Sequence, residues 1–119
     1  MAKKYDFDSF DAAARKAAIQ AVAKAQTNFR YLVDGEELVV ELPDKKIAKL
    51  PLTVTARDML EVAQVQQEGE AALLMQLLDR LGQKDTSDLL QDCPIALVAK
   101  IAMAYFDVIG QITEVALGE

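Results

Sequence analysis

The sequence predicts a mainly α-helical α+β domain of four to five helices, with one small β-hairpin between the first and second helix. Three observations carry this reading. An Ala-rich run follows Asp8-Ser9, an alternating apolar pattern flanks Asp34-Gly35, and from Thr55 onward apolar residues recur at helical spacing. At 119 residues the chain suits a single domain over 1–119, long enough for a core and short for two.

The first helix is expected over about 9–26, with Asp8 or Ser9 as its N-cap. Phe10, Ala13, Ala14, Ala17, Ala18, Ala21 and Ala25 fall on one stripe, with Ile19 on the far side. Small side chains let another helix approach closely but each buries little area. This helix therefore needs something to hold it.

The hairpin is expected over about 29–42. Phe29, Tyr31 and Val33 alternate before Asp34-Gly35, and Leu38, Val40 and Leu42 alternate after it. Pro43 ends the second strand. The segment 44–53, with Lys45, Lys46, Lys49 and Pro51, reads as a loop or a short edge strand.

The helical region is expected over about 55–117. Thr55 caps a helix from Ala56, with Asp58 at the capping-box position and Met59, Leu60 and Ala63 facing inward. Gly69 either separates this helix from the next or lies within one continuous helix. Leu73, Leu74, Met75, Leu77, Leu78 and Leu81 make the following helix strongly apolar, and Gly82 is its natural stop. Asp85–Asp88 resembles a cap before a short turn at Leu89–Leu90.

The last helix is expected to begin near Asp92, with Pro94 in its first turn, where a missing N–H costs nothing. Lys100, Asp107 and Glu114 recur every seven residues, with Gln111 beside them, and form one narrow polar strip. The rest of the circumference is apolar. A helix in a small monomer hides one stripe, and this one has two apolar faces to hide.

Composition narrows the function. The net charge is −6, and basic residues cluster no further than the pairs Lys3-Lys4, Arg15-Lys16 and Lys45-Lys46, so no face is built to grip phosphate backbones. Cys93 is the only cysteine, which rules out an intrachain disulfide. The apolar stretch Ile95–Leu117 contains Lys100, Asp107 and Glu114, each costing about 2.5–3.5 kcal/mol at a bilayer centre, which argues against a transmembrane span and for the cytosol. Histidine is absent, and with it the commonest general base and metal ligand. Glycine patterns of nucleotide-binding loops are absent too. Cys93 reads as a small apolar residue before Pro94 rather than as a reactive thiolate. No catalytic residue, cofactor site or metal site is expected.

Surfaces remain. Leu74, Leu77, Leu78, Ile101, Tyr105, Val108 and Ile112 are the candidate protein-interface residues, serving self-association or a helical client lying in a groove.

The order of elements also resembles a family. An Ala-rich start, "FRYLVDGEELVVELP", the basic "DKKIAKLPLTV", then Leu-rich helices and a closing "ALGE" resemble the tail assembly chaperones of long-tailed, siphovirus-type phages. The likeness covers roughly Asn28 to Glu119. It implies a homo-oligomeric protein of the host cytoplasm, absent from the finished virion. Such a protein binds and solubilises the tape measure protein and helps recruit tail tube protein. The family brings no catalytic residues. Two other readings compete with it: a structural tail or adaptor protein of the virion, and an acidic inhibitor that covers a basic surface of a host protein.

Overall fold

A computed structural model describes residues 4–63 and 69–118. The described elements are α1 (Ala12–Gln26), β1 (Arg30–Asp34), β2 (Glu37–Glu41), β3 (Ile47–Pro51), α2 (Ala56–Val62), α3 (Glu70–Arg80), α4 (Lys84–Gln91) and α5 (Ile95–Leu117). The chain is thus mixed α and β, with five helices and a three-stranded antiparallel sheet among the described residues.

Helix α1 starts later than Asp8 or Ser9 would place it. Asp11 is the N-cap, its Oδ1 accepting from the Ala14 amide at 2.9 Å. Asp6 instead binds both the amide and the hydroxyl of Ser9 in a turn of its own.

The expected hairpin is present as β1–β2, and the sheet is larger than that hairpin, with order β1-β2-β3 and 44–53 taking the short-edge-strand alternative. Gly35 supplies a φ of +61° at the first central position of the β1–β2 turn, the place where a type II′ turn needs glycine. Segment 44–53 contributes the third strand. Ala48 and Leu50 are buried opposite Val40 and Leu38, while Ile47 and Lys49 are exposed. The lysines disguise this strand because they lie in the second turn and on its outer face. Lys45 takes a left-handed φ of 72° there, and the Leu42 amide closes the turn onto the Lys46 carbonyl.

Helix α2 opens with the expected capping box. The Thr55 hydroxyl accepts from the Asp58 amide and the Asp58 carboxylate accepts from the Thr55 amide, both at 3.1 Å. The connection between α2 and α3, and with it whether the two run on continuously, lies in 64–68, outside the described residues. Where the sequence suggests only a short turn, α4 is a helix of eight residues. Its buried Thr86 hydroxyl donates to the Lys49 carbonyl at 2.8 Å, and its buried Ser87 hydroxyl to Asp79 at 3.1 Å. Those bonds satisfy polar groups that would otherwise disfavour burial. Pro94 stands just before α5 as its N-cap.

One face of β2 and β3 packs beneath α3, α4 and α5. Leu38, Val40, Leu50, Leu74, Leu77, Leu78, Leu90, Ile101 and Tyr105 are fully buried there. Burying a side chain of this size contributes about 1.5–3 kcal/mol, so this layer supplies most of the driving force for folding. The extents are 59 × 27 × 26 Å and the radius of gyration is 17.7 Å, against about 13.5 Å for a compact chain of this length. Two elements account for the elongation. Helix α1 has no buried residue, and the end of α5 projects past the core.

Candidate interaction surface

Helix α5 has 23 residues and a length of about 35 Å. Its buried positions are Leu97, Val98, Ile101, Ala102, Tyr105 and Val108, one stripe at three- and four-residue intervals. The next positions on that stripe are Ile112 and Val115. They are 47% and 65% exposed, and every residue from Gly110 to Gly118 is exposed. The apolar stripe therefore outruns the core that it packs against. Length and composition alone would let α5 cross a membrane, yet a third of its most apolar stretch is already buried in the fold.

The polar strip lies where the spacing places it. Lys100, Asp107, Gln111 and Glu114 are all exposed, and the Gln111 amide donates to Asp107 at 2.8 Å. Projecting α5 is thus apolar along one side and acidic along another.

The seven candidate interface residues divide. Leu74, Leu77, Leu78, Ile101 and Tyr105 are fully buried within the chain, and Val108 is nearly so. Burial gives them the task of fixing α3 and α5 against the sheet. Ile112 alone among them is open to solvent. The candidate set left out Val115, which the periodicity of α5 already contained.

Helix α1 is a second loosely held element. Its Ile19 and Val22 are each about half exposed, as is Phe10 just before it. An open cleft of about 850 Å3 separates its C-terminal half from Ala96 and Lys100 at the start of α5. Ile19 and Val22 border a further hollow against Ala96. Alanines along this helix leave room that larger side chains would fill.

Chemistry elsewhere is muted. The Cys93 thiol rests 3.5 Å from the Leu89 carbonyl, and burial, with Asp44 and Asp92 nearby, pushes it above its ordinary value. A raised thiol is the protonated, unreactive form at neutral pH. Among the described residues no three His, Cys, Asp or Glu side chains converge as a metal ion would require. The chain matches no protein-family model, no curated protein and no solved structure.

Proposed function

We propose that this chain is a non-enzymatic assembly chaperone that shields an apolar helical segment of another protein along the free end of α5. The observation that carries this reading is the overshoot of the α5 stripe, where Ile112 and Val115 remain 47% and 65% exposed among the described residues. A client helix laid along that stripe would bury its apolar residues in the helix-in-groove manner. Asp107 and Glu114 beside the stripe favour a client with basic flanks.

The resemblance of residues 28–119 to tail assembly chaperones supplies a specific client. On this reading the partner is the tape measure protein, tail tube protein is recruited to the complex, and the work takes place in the host cytoplasm by a homo-oligomer. No cofactor, nucleic acid or membrane takes part.

Co-expression with a phage tape measure protein tests the proposal. Wild-type chain should keep the client soluble, and an Ile112→Asp/Val115→Asp variant should not. A client equally insoluble with either chain would sink the idea.

A further inference from the structure

The two edges of the sheet are treated differently. The Leu52 amide bonds the Glu36 carbonyl and the Leu42 amide bonds the Lys46 carbonyl, so the even-numbered residues of β2 direct their backbone groups toward β3. Glu37, Val39 and Glu41 therefore face β1, and their partners Asp34, Leu32 and Arg30 face back. By the same alternation Lys49 and Pro51 point outward from β3, and Tyr31 and Val33 point outward from β1.

The β3 edge is closed. The Lys49 carbonyl is taken by Thr86, the Pro51 carbonyl by Tyr105, and Pro51 has no N–H to offer. The β1 edge is open. All five of its residues are exposed, and among the described residues β1 pairs with β2 alone. It carries none of the proline, inward charge or bulge by which edge strands are usually blunted.

That open strand reads Arg30-Tyr31-Leu32-Val33-Asp34 and is complementary to itself. Laid antiparallel on a second copy about a two-fold axis at Leu32, it sets Arg30 opposite Asp34 of the other copy. Tyr31 then faces Val33, and Leu32 meets its own counterpart. The outward backbone groups match too. Tyr31 and Val33 become the hydrogen-bonded pair, and Leu32 falls at the close, non-hydrogen-bonded position. An aromatic against a β-branched residue and opposite charges across strands are the favourable pairings.

The single chain is also poised for this. Asp34 lies opposite Glu37, a like-charge pairing, and Asp34 has no ion pair among the described residues. Arg30 reaches one oxygen of Glu41 through Nε and a terminal nitrogen, which leaves the rest of its guanidinium to a second carboxylate. Phe29 stacks on Tyr31 at 6.3 Å between centroids and holds that ring beside the edge.

We propose that β1 pairs antiparallel with β1 of a second copy of this chain, Arg30 against Asp34, to make one continuous sheet across a two-fold axis. This goes beyond the chaperone reading and does not depend on it, since none of these residues lies on α5. Five residues a side is small for a stable dimer, so the equilibrium should depend on concentration over the micromolar to millimolar range.

Sedimentation equilibrium on the full chain tests the pairing, with circular dichroism confirming that each variant is folded. Wild type should be a concentration-dependent dimer. Asp34→Arg alone and Arg30→Asp alone should each weaken it about tenfold or more, because attraction becomes repulsion at both symmetry-related ends. An equimolar mixture of the two variants should recover dimer, because every cross-strand charge pair is then opposite in sign. In a Cys93→Ala background, Leu32→Cys should form a disulfide-linked dimer on mild oxidation, the close position bringing Cα atoms within disulfide range. A wild type that is monomeric throughout, single variants as tight as wild type, or a mixture that stays monomeric would each overturn the proposal. So would an assembly that survives Asp34→Arg and is lost on Ile112→Asp, which would place the contact on α5.

Discussion

The Tyr105 hydroxyl donates a hydrogen bond to the Pro51 carbonyl oxygen, tying the middle of α5 to the last residue of β3. Burial, with the Asp58 carboxylate adding to it, pushes this phenol far above its ordinary range, so the hydroxyl is a donor at neutral pH. Tyr105→Phe keeps the ring and strands the carbonyl. It should cost about 1–2 kcal/mol in urea denaturation, while Tyr105→Ala should cost about 3–5 kcal/mol through the added cavity.

Gly82 makes the stop after α3 possible. Its φ is +73°, the Gln83 amide reaches the Leu78 carbonyl at 2.9 Å, and the Gly82 amide reaches Asp79 at 3.2 Å. That is the bond pattern of a Schellman motif. A Cβ at Gly82 would meet nothing within 4 Å, so backbone conformation alone sets the penalty. Gly82→Ala should lower stability by about 1–2 kcal/mol without altering the fold, as read from the denaturation midpoint at unchanged slope.

These positions illustrate which parts of the fold are legible in sequence. The Asp34-Gly35 turn, the Thr55 and Asp58 capping box and the Gly82 stop are chemistry within a few residues, and each is where the residue types place it. Strand β3 is less legible, because Lys45, Lys46 and Lys49 describe a solvated segment while Ala48 and Leu50 pair with residues of another strand. The candidate surface shows a second limit. Periodicity says that Ile101, Tyr105, Val108 and Ile112 share one face of α5, but not where the covering layer ends. That boundary falls between Val108, 9% exposed, and Ile112, 47% exposed.

Acid should weaken the α2–α3 region in a predictable direction. Asp58 accepts from the Thr55 amide and, at 2.8 Å, from Arg80 Nε, and these bonds hold its carboxyl below the ordinary 3.8. A folded-state value below the unfolded one stabilises the fold at pH above the unfolded value. The contribution is lost as pH falls from about 3.8 through the lower folded value. Glu41, held down by Arg30, and Asp6, held down by Ser9, act in the same sense. Asp58→Asn should therefore be less stable than wild type at pH 7 and lose less on acidification. Equal loss below pH 4 in the two proteins would contradict this assignment.

The boundary on α5 predicts two unlike effects of one substitution. Ile101 is fully buried, so Ile101→Asp places a charge in the core and should unfold the chain or cost it more than about 4 kcal/mol. Ile112 lies three turns further on the same stripe and is 47% exposed. Ile112→Asp should change stability by about 0.5 kcal/mol or less while abolishing client retention. Thermal melts of both proteins beside a client pull-down separate the two roles.

Helix α1 is held by little of the fold. None of its fifteen residues is buried, its stripe is chiefly alanine, and open hollows separate it from the start of α5. An isolated helix of this length is marginal in water, so its tertiary contacts decide whether it contributes to stability. Those contacts are few, and the buried core is built entirely from Leu38 onward. A chain beginning at Thr27 should therefore fold with a denaturation midpoint and slope close to those of the full chain, since the slope tracks surface exposed on unfolding. Far-UV circular dichroism should fall by no more than the α1 share of the helix signal. A loss of several kcal/mol would instead show that α1 is packed against the rest of the subunit, and the elongated shape would need another cause.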